Sequence, residues 1–172
     1  MLQAGYSIAS TGQAADAILI DDFGGYKKAE TQINEWANAG KTVVFMELPA
    51  QEYSIANTSV SIEKNSMGDY YFVSPATGHT IVKNNQPFDF NLWFNSKGGY
   101  ISPILSYTVS APGWKAILSS GNSNWLGDKG TVMAAGELKY GKGSFRICEV
   151  QLMDRIKYNP TAFDFLDRML GK

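Results

Sequence analysis

Three carboxylates stand where short apolar runs stop. Ala17-Ile18-Leu19-Ile20 ends at Asp21-Asp22, and Thr42-Val43-Val44-Phe45-Met46 ends at Glu47. Short apolar runs bounded by turn residues suit strands covered on both faces. If such strands are parallel, their carboxyl ends are where open α/β sheets bind ligands. Paired carboxylates are also the groups that run glycoside hydrolysis. Asp21, Asp22 and Glu47 are therefore the candidate ligand site. The competing role for acids at strand ends is to cap the next helix or face solvent.

Other residues carry weaker chemical signals. Gly136 to Gly143 (GELKYGKG) nearly spells a phosphate loop. However, the last position is Gly143 rather than Ser or Thr, and the residues after it read as a strand. A phosphate loop needs a helix N-terminus there, so a hairpin turn fits better. His79 is the sole histidine, and a lone histidine is expected to be a structural hydrogen-bonding residue rather than a metal ligand or base. Cys148 is the sole cysteine; it excludes an internal disulfide and reads as a small buried hydrophobe. The aromatics Tyr70, Tyr71, Phe72, Phe88, Phe90, Trp93, Phe94 and Tyr100 could stack on sugars, or could form core and domain interface.

The elements that would position these residues are clearest at the two ends of the chain. Between the first two apolar runs, Ala29, Ile33, Trp36 and Ala37 form an apolar stripe at helical spacing, and Gly40 follows. The spacing predicts a helix over 27–39 and a right-handed βαβ unit with both strands parallel. Ile18, Leu19, Ile20, Val43, Val44 and Phe45 should all be buried. The stretch 49–67 reads as a long polar connection, with a short strand at Val60-Ser61-Ile62-Glu63. Near the end, 131–140 and 144–151 predict a β-hairpin around Gly141-Lys142-Gly143, with Val132 and Ala134 near Phe145 and Ile147. Asn159-Pro160 predicts a helix start with Asn159 as N-cap. Phe163, Leu166, Met169 and Leu170 continue that helix as an apolar stripe.

Composition narrows the function classes. The chain has 172 residues, the size of a single domain, and 44% of them are hydrophobic. Fifteen basic and sixteen acidic residues leave a formal charge of −1 with no basic patch, which argues against nucleic acid as a partner. No apolar run approaches the ~20 residues of a membrane helix. Residues 1–10 lack the basic start and apolar core of a signal peptide.

Three segments, taken in order, resemble the class I glutamine-amidotransferase-like domain appended to bacterial glycoside hydrolases of the β-galactosidase and family 2 type. They are AGKTVVFME, GHTIVKNNQPFDFNLWF and the C-terminal run from AAGELKYGKG to FLDRML. The shared features are His79, Phe88-Asp89-Phe90 with Trp93, Tyr140-Gly141-Lys142-Gly143, Gln151-Leu152 and Asn159-Pro160. The resemblance implies one flavodoxin-like α/β domain over 1–172. Its architecture would be three-layer α/β/α, with a mostly parallel central sheet and a C-terminal β-hairpin and helix. Members that hydrolyse glutamine carry a cysteine on a sharp strand-to-helix turn. Laid on this sequence, that nucleophile-elbow position falls on Glu47 and the following glycine on Pro49. The histidine–glutamate pair of such enzymes is missing too.

The resemblance thus implies a non-catalytic accessory domain without a cofactor or a metal. Its partners would be other domains of the same polypeptide, with carbohydrate as a further candidate. It would be periplasmic or extracellular if the parent glycosidase is secreted. The alternatives are a carbohydrate-binding module using the aromatic segment, and a freestanding α/β hydrolase using Asp21, Asp22 and Glu47.

Overall fold

The computed structural model describes residues 6–9, 14–64, 73–120 and 132–172. The expected Tyr70-Tyr71-Phe72 run lies outside them. Strand β1 (Ala17–Ile20) leads into helix α1 (Phe23–Asn38) and strand β2 (Thr42–Met46). β1 and β2 are parallel, with Ile18 beside Val43 and Ile20 beside Phe45. This is the expected βαβ unit, but the helix starts four residues earlier than the stripe predicts. Asp22 is its N-cap, and Gly24 and Gly25 form its first turn instead of a loop. At the other end Lys41 N–H donates to Trp36 O and Gly40 N–H to Ala37 O, both at 3.0 Å. With Gly40 at φ 118° this is a Schellman termination. The buried stripe of α1 is Tyr26, Ile33 and Ala37, while Trp36 faces solvent.

The centre of the chain builds antiparallel strands. β3 (Glu52–Ile55) and β4 (Thr58–Lys64) form a hairpin whose turn residues Ala56 and Asn57 both have positive φ, the signature of a type I′ turn. β5 (Val73–Ser74) pairs with β9 (Lys115–Ser120). β6 (Leu92–Asn95) and β7 (Tyr100–Pro103) make a separate two-stranded ribbon, and β8 (Tyr107–Ser110) pairs with β4. β10 (Val132–Tyr140) and β11 (Gly143–Cys148) form the expected hairpin, turning at Gly141 with φ 57°. Its register differs from the expected one: Leu138 lies beside Phe145 and Gly136 beside Ile147. Helix α2 (Pro160–Met169) closes the chain.

The sheet overturns the three-layer α/β/α reading, and with it the flavodoxin-like, glutamine-amidotransferase-like assignment. Nine strands form one mixed sheet, in which β1, β2 and β11 are the parallel members. From β10 onward every pairing is antiparallel. The described residues contain two α-helices. The physical reason lies in the connections. Parallel neighbours need long crossovers, whereas β3 and β4 are joined by a two-residue turn and the stretch between β5 and β6 forms 3-10 turns rather than an α-helix.

Two cores flank the sheet. Val43, Phe45, Phe145 and Ile147 pack with α1 and with Tyr53, Ile55, Val60 and Ile62 of the β3–β4 hairpin. Val44, Met46 and Cys148 face the other way, onto Phe165, Leu166 and Met169 of α2, with Phe90 and Trp93. β2 is thus covered on both faces, which is why its apolar run shows no alternation. Ile18 and Leu19, by contrast, are only half-buried, because β1 is an edge strand.

Candidate functional site at the carboxyl ends of β2 and β11

Glu47 follows β2 directly, and its N–H donates to Cys148 O at 2.9 Å. Its backbone is left-handed, φ 50°, a conformation that costs a non-glycine residue roughly 1–2 kcal/mol. Glu47 Oε1 accepts from Leu152 N–H at 3.1 Å and from Met153 N–H at 3.3 Å. The residue as a whole is exposed, but its carboxyl lies low against the sheet end. Burial there raises its pKa, against the two N–H bonds that lower it.

Glu149 stands just past β11 and is 2% exposed. Its Oε1 accepts from Leu48 N–H at 3.1 Å. Its Oε2 is buried and has no hydrogen-bond partner among the described residues. Burial pushes the Glu149 pKa up to about 8; the Leu48 bond opposes this and the nearby charge of Glu47 adds to it. Burial thus raises the pKa of both carboxyls, and perturbed carboxyls of this kind mark candidate sites.

The segment 151–159 runs across this sheet end as a strap. Arg155 is buried and donates to Ser102 Oγ at 2.7 Å and to Gln151 O at 3.3 Å. Ser96 N–H and Oγ–H both donate to Asp154 O, at 2.8 and 2.7 Å. Asn159 is the N-cap of α2 with Pro160 at the first position, as expected, but its side chain makes no capping bond. Instead it clasps Phe94, accepting from its N–H at 3.0 Å and donating to its C=O at 2.8 Å. Glu47 holds the strap, and the strap holds the β6–β7 ribbon.

The sequence-derived acids reach the same end of the sheet. Register places Asp22 and Glu47 each two residues beyond the paired Ile20 and Phe45. Asp22 has both oxygens engaged as the cap of α1, accepting from Gly24 N–H at 2.9 Å and Gly25 N–H at 3.0 Å. Asp21 is exposed. Glu149, whose pKa the charge of Glu47 raises further, is a buried acid at this sheet end that the sequence reading passed over. Its one signal was a glutamate between Cys148 and Val150 in a run that is otherwise apolar.

His79 belongs to a different cluster. Its Nδ1 accepts from Ile81 N–H at 3.3 Å, so Nε2 carries the hydrogen toward Glu137 Oε2 at 3.2 Å. Burial lowers the His79 pKa and outweighs the raising effect of Glu137. Arg146 Nε donates to Glu137 Oε1 at 2.9 Å, and its Nη1 caps α2 through Arg168 O and Met169 O. Cys148 is fully buried, and burial pushes its thiol far above the ordinary range, which leaves no thiolate for acyl transfer. Lys142 sits on an exposed hairpin turn. Among the described residues no group of three His, Cys, Asp or Glu could hold a metal ion.

No family model and no curated protein matches the sequence. Solved structures similar to it include the cold-adapted β-galactosidase of Rahnella sp. R3 (12% identity, TM-score 0.48). They also include the β-galactosidase of Bacillus circulans sp. alkalophilus (13%, 0.47). A third is the catalytic mutant of Gan42B, a GH42 β-galactosidase from G. stearothermophilus (11%, 0.46). The matches cover 89–90% of this chain, which spans only about a fifth of each β-galactosidase chain (20–21%).

Proposed function

We propose that this chain is a non-catalytic accessory domain of a bacterial carbohydrate-active enzyme of the β-galactosidase type, docking against other domains of the same polypeptide. The observation that carries the docking half is the outward face of the β6–β7 ribbon. Trp93 points into the core, so its strand neighbours Leu92 and Phe94 point out. Ile101 lies beside Phe94 in register, and the ring of Tyr158 meets Phe94 edge-on at 5.6 Å. Leu92 is 53% exposed and Ile101 65%. Contiguous apolar surface of this kind marks interaction sites.

Of the aromatic segment, Phe90 and Trp93 are buried in the core, whereas Phe88 and Tyr100 are exposed. Two assays test the reading. The open reading frame containing this chain should encode a glycosidase module, and the purified chain should not release nitrophenol from an aryl β-galactoside. Turnover by the chain alone, or a reading frame with no glycosidase module, would overturn it.

A further inference from the structure

Both ring nitrogens of His79 are committed. Nδ1 accepts from Ile81 N–H at 3.3 Å and so caps the 3-10 turn Thr80–Val82, while Nε2–H meets Glu137 Oε2 at 3.2 Å. The residue is 4% exposed. We propose that His79 is an acid-released catch: the neutral ring ties the 80–85 turn to β10, and a second ring proton expels Ile81 N–H and frees the turn that leads toward the β6–β7 ribbon.

A neutral imidazole has one acceptor nitrogen, and an imidazolium has none. A proton arriving on Nδ1 would face the hydrogen of Ile81 N–H, so one side of the ring must give way. The Glu137 side strengthens, because its carboxylate then bonds a charged donor. That carboxylate is itself held by Arg146 Nε at 2.9 Å and Lys139 Nζ at 3.1 Å. The turn side is weaker. It is a three-residue 3-10 turn, closed by Val82 N–H to His79 O at 3.1 Å and Lys83 N–H to Thr80 O at 3.3 Å. Its bond to α2 runs from Arg168 Nη1 to Ile81 O at 3.0 Å, and Arg168 retains Asp164, 2.7 Å away, once that bond is lost.

The charged groups around the ring set where release falls. Burial lowers the His79 pKa; Glu137 of β10 opposes this, while Lys115 of β9 and Arg146 of β11 add to it. Glu137 is held at about 2 and stays charged through the interval. Arg168 of α2 reaches the turn at Ile81 O rather than at the ring. The catch therefore holds above pH 6.5 and lets go below it.

Amide hydrogen exchange, corrected for intrinsic rate, and nitrogen-15 NMR of the imidazole test this in the intact chain. As pH falls below 6.5, protection at Ile81 should drop about tenfold, the loss of one cap bond. The drop should span the same interval in which Nδ1 takes up its proton. Protection at Ile147 should stay level. His79→Asn puts an amide oxygen near the position of Nδ1, so Ile81 should there stay protected at every pH. The catch is overturned if Ile81 stays protected after the parent ring is charged, or if that ring charges only as the whole chain unfolds. It is equally overturned if His79→Asn keeps the acid fall. The first two results need no variant to fold.

Discussion

Glu137 and Arg146 face each other directly across the β10–β11 hairpin, with Nε 2.9 Å from Oε1. Both are buried, and the pair links three parts of the fold. Glu137 also receives His79 and Lys139, and Arg146 caps the carbonyl end of α2. Burial alone would raise the Glu137 pKa, but the bonds from Lys139 and Arg146 prevail and hold it at about 2. Removing one partner of a buried pair strands the other, at a cost of about 3–5 kcal/mol. Glu137→Gln should therefore lower the melting temperature sharply. Because the folded pKa is depressed, the stability it supplies is present above the unfolded value and is lost as pH falls from 4.5 toward 2. Parent and variant melts should converge over that interval.

His79 should remain neutral below the pH at which free histidine charges. Its depressed pKa means that stability is full above 6.5 and declines as pH falls through and below it. Nitrogen-15 NMR should find hydrogen on Nε2 at pH 7. An Nδ1–H tautomer would contradict the bond from Ile81.

Glu149 has the opposite sign to Glu137. Its folded pKa is raised from 4.5 to about 8, so stability is lost as pH rises between those values. Glu149→Gln should consequently raise the stability at pH 9 by an amount on the order of a few kcal/mol, and the melting temperature with it, while changing little at pH 4. Equal effects at both pH values would refute the burial argument.

The hairpin turn packs tightly on the end of α1. A Cβ at Gly143 would lie 2.2 Å from Lys41 O and 2.5 Å from Ala37 O, and one at Gly141 would lie 2.8 Å from Asn38 Cα in a left-handed residue. Each Gly→Ala change should cost about 2–3 kcal/mol in thermal or urea unfolding. Lys142→Ala, on the exposed tip, should stay within about 0.5 kcal/mol. ATP with magnesium should not raise the melting temperature of the parent.

Glutamine should not be hydrolysed. Cys148, the sole cysteine, lies fully buried as a thiol, and the fold is not that of an amidotransferase. Ammonia release from glutamine checks the activity. Alkylation of Cys148 by iodoacetamide, expected only on unfolding, checks the burial.

How far the sequence was legible follows from where its signals were local. The βαβ unit, the last hairpin and α2 each carry their own periodicity and turn residues, and all three exist. The sheet went astray because strand order depends on non-local pairing. The reading treated 49–67 as a connection, although Ala56-Asn57 makes a tight turn between two alternating strands. Phe88-Asp89-Phe90 belongs to a 3-10 turn that starts at Pro87. Glu149 left little trace, because the burial that perturbs it comes from β2 and β3, distant in sequence.

The central claim is that the outward face of β6–β7 is covered by another domain of the parent enzyme. Hydroxyl-radical footprinting measures this directly. It would be applied to the chain alone and to the polypeptide that joins it to its glycosidase module. Oxidation of Leu92, Phe94, Ile101 and Tyr158 should fall several-fold in the joined protein, with Trp36 on α1 unchanged. Equal labelling of all four residues in both proteins would contradict the account.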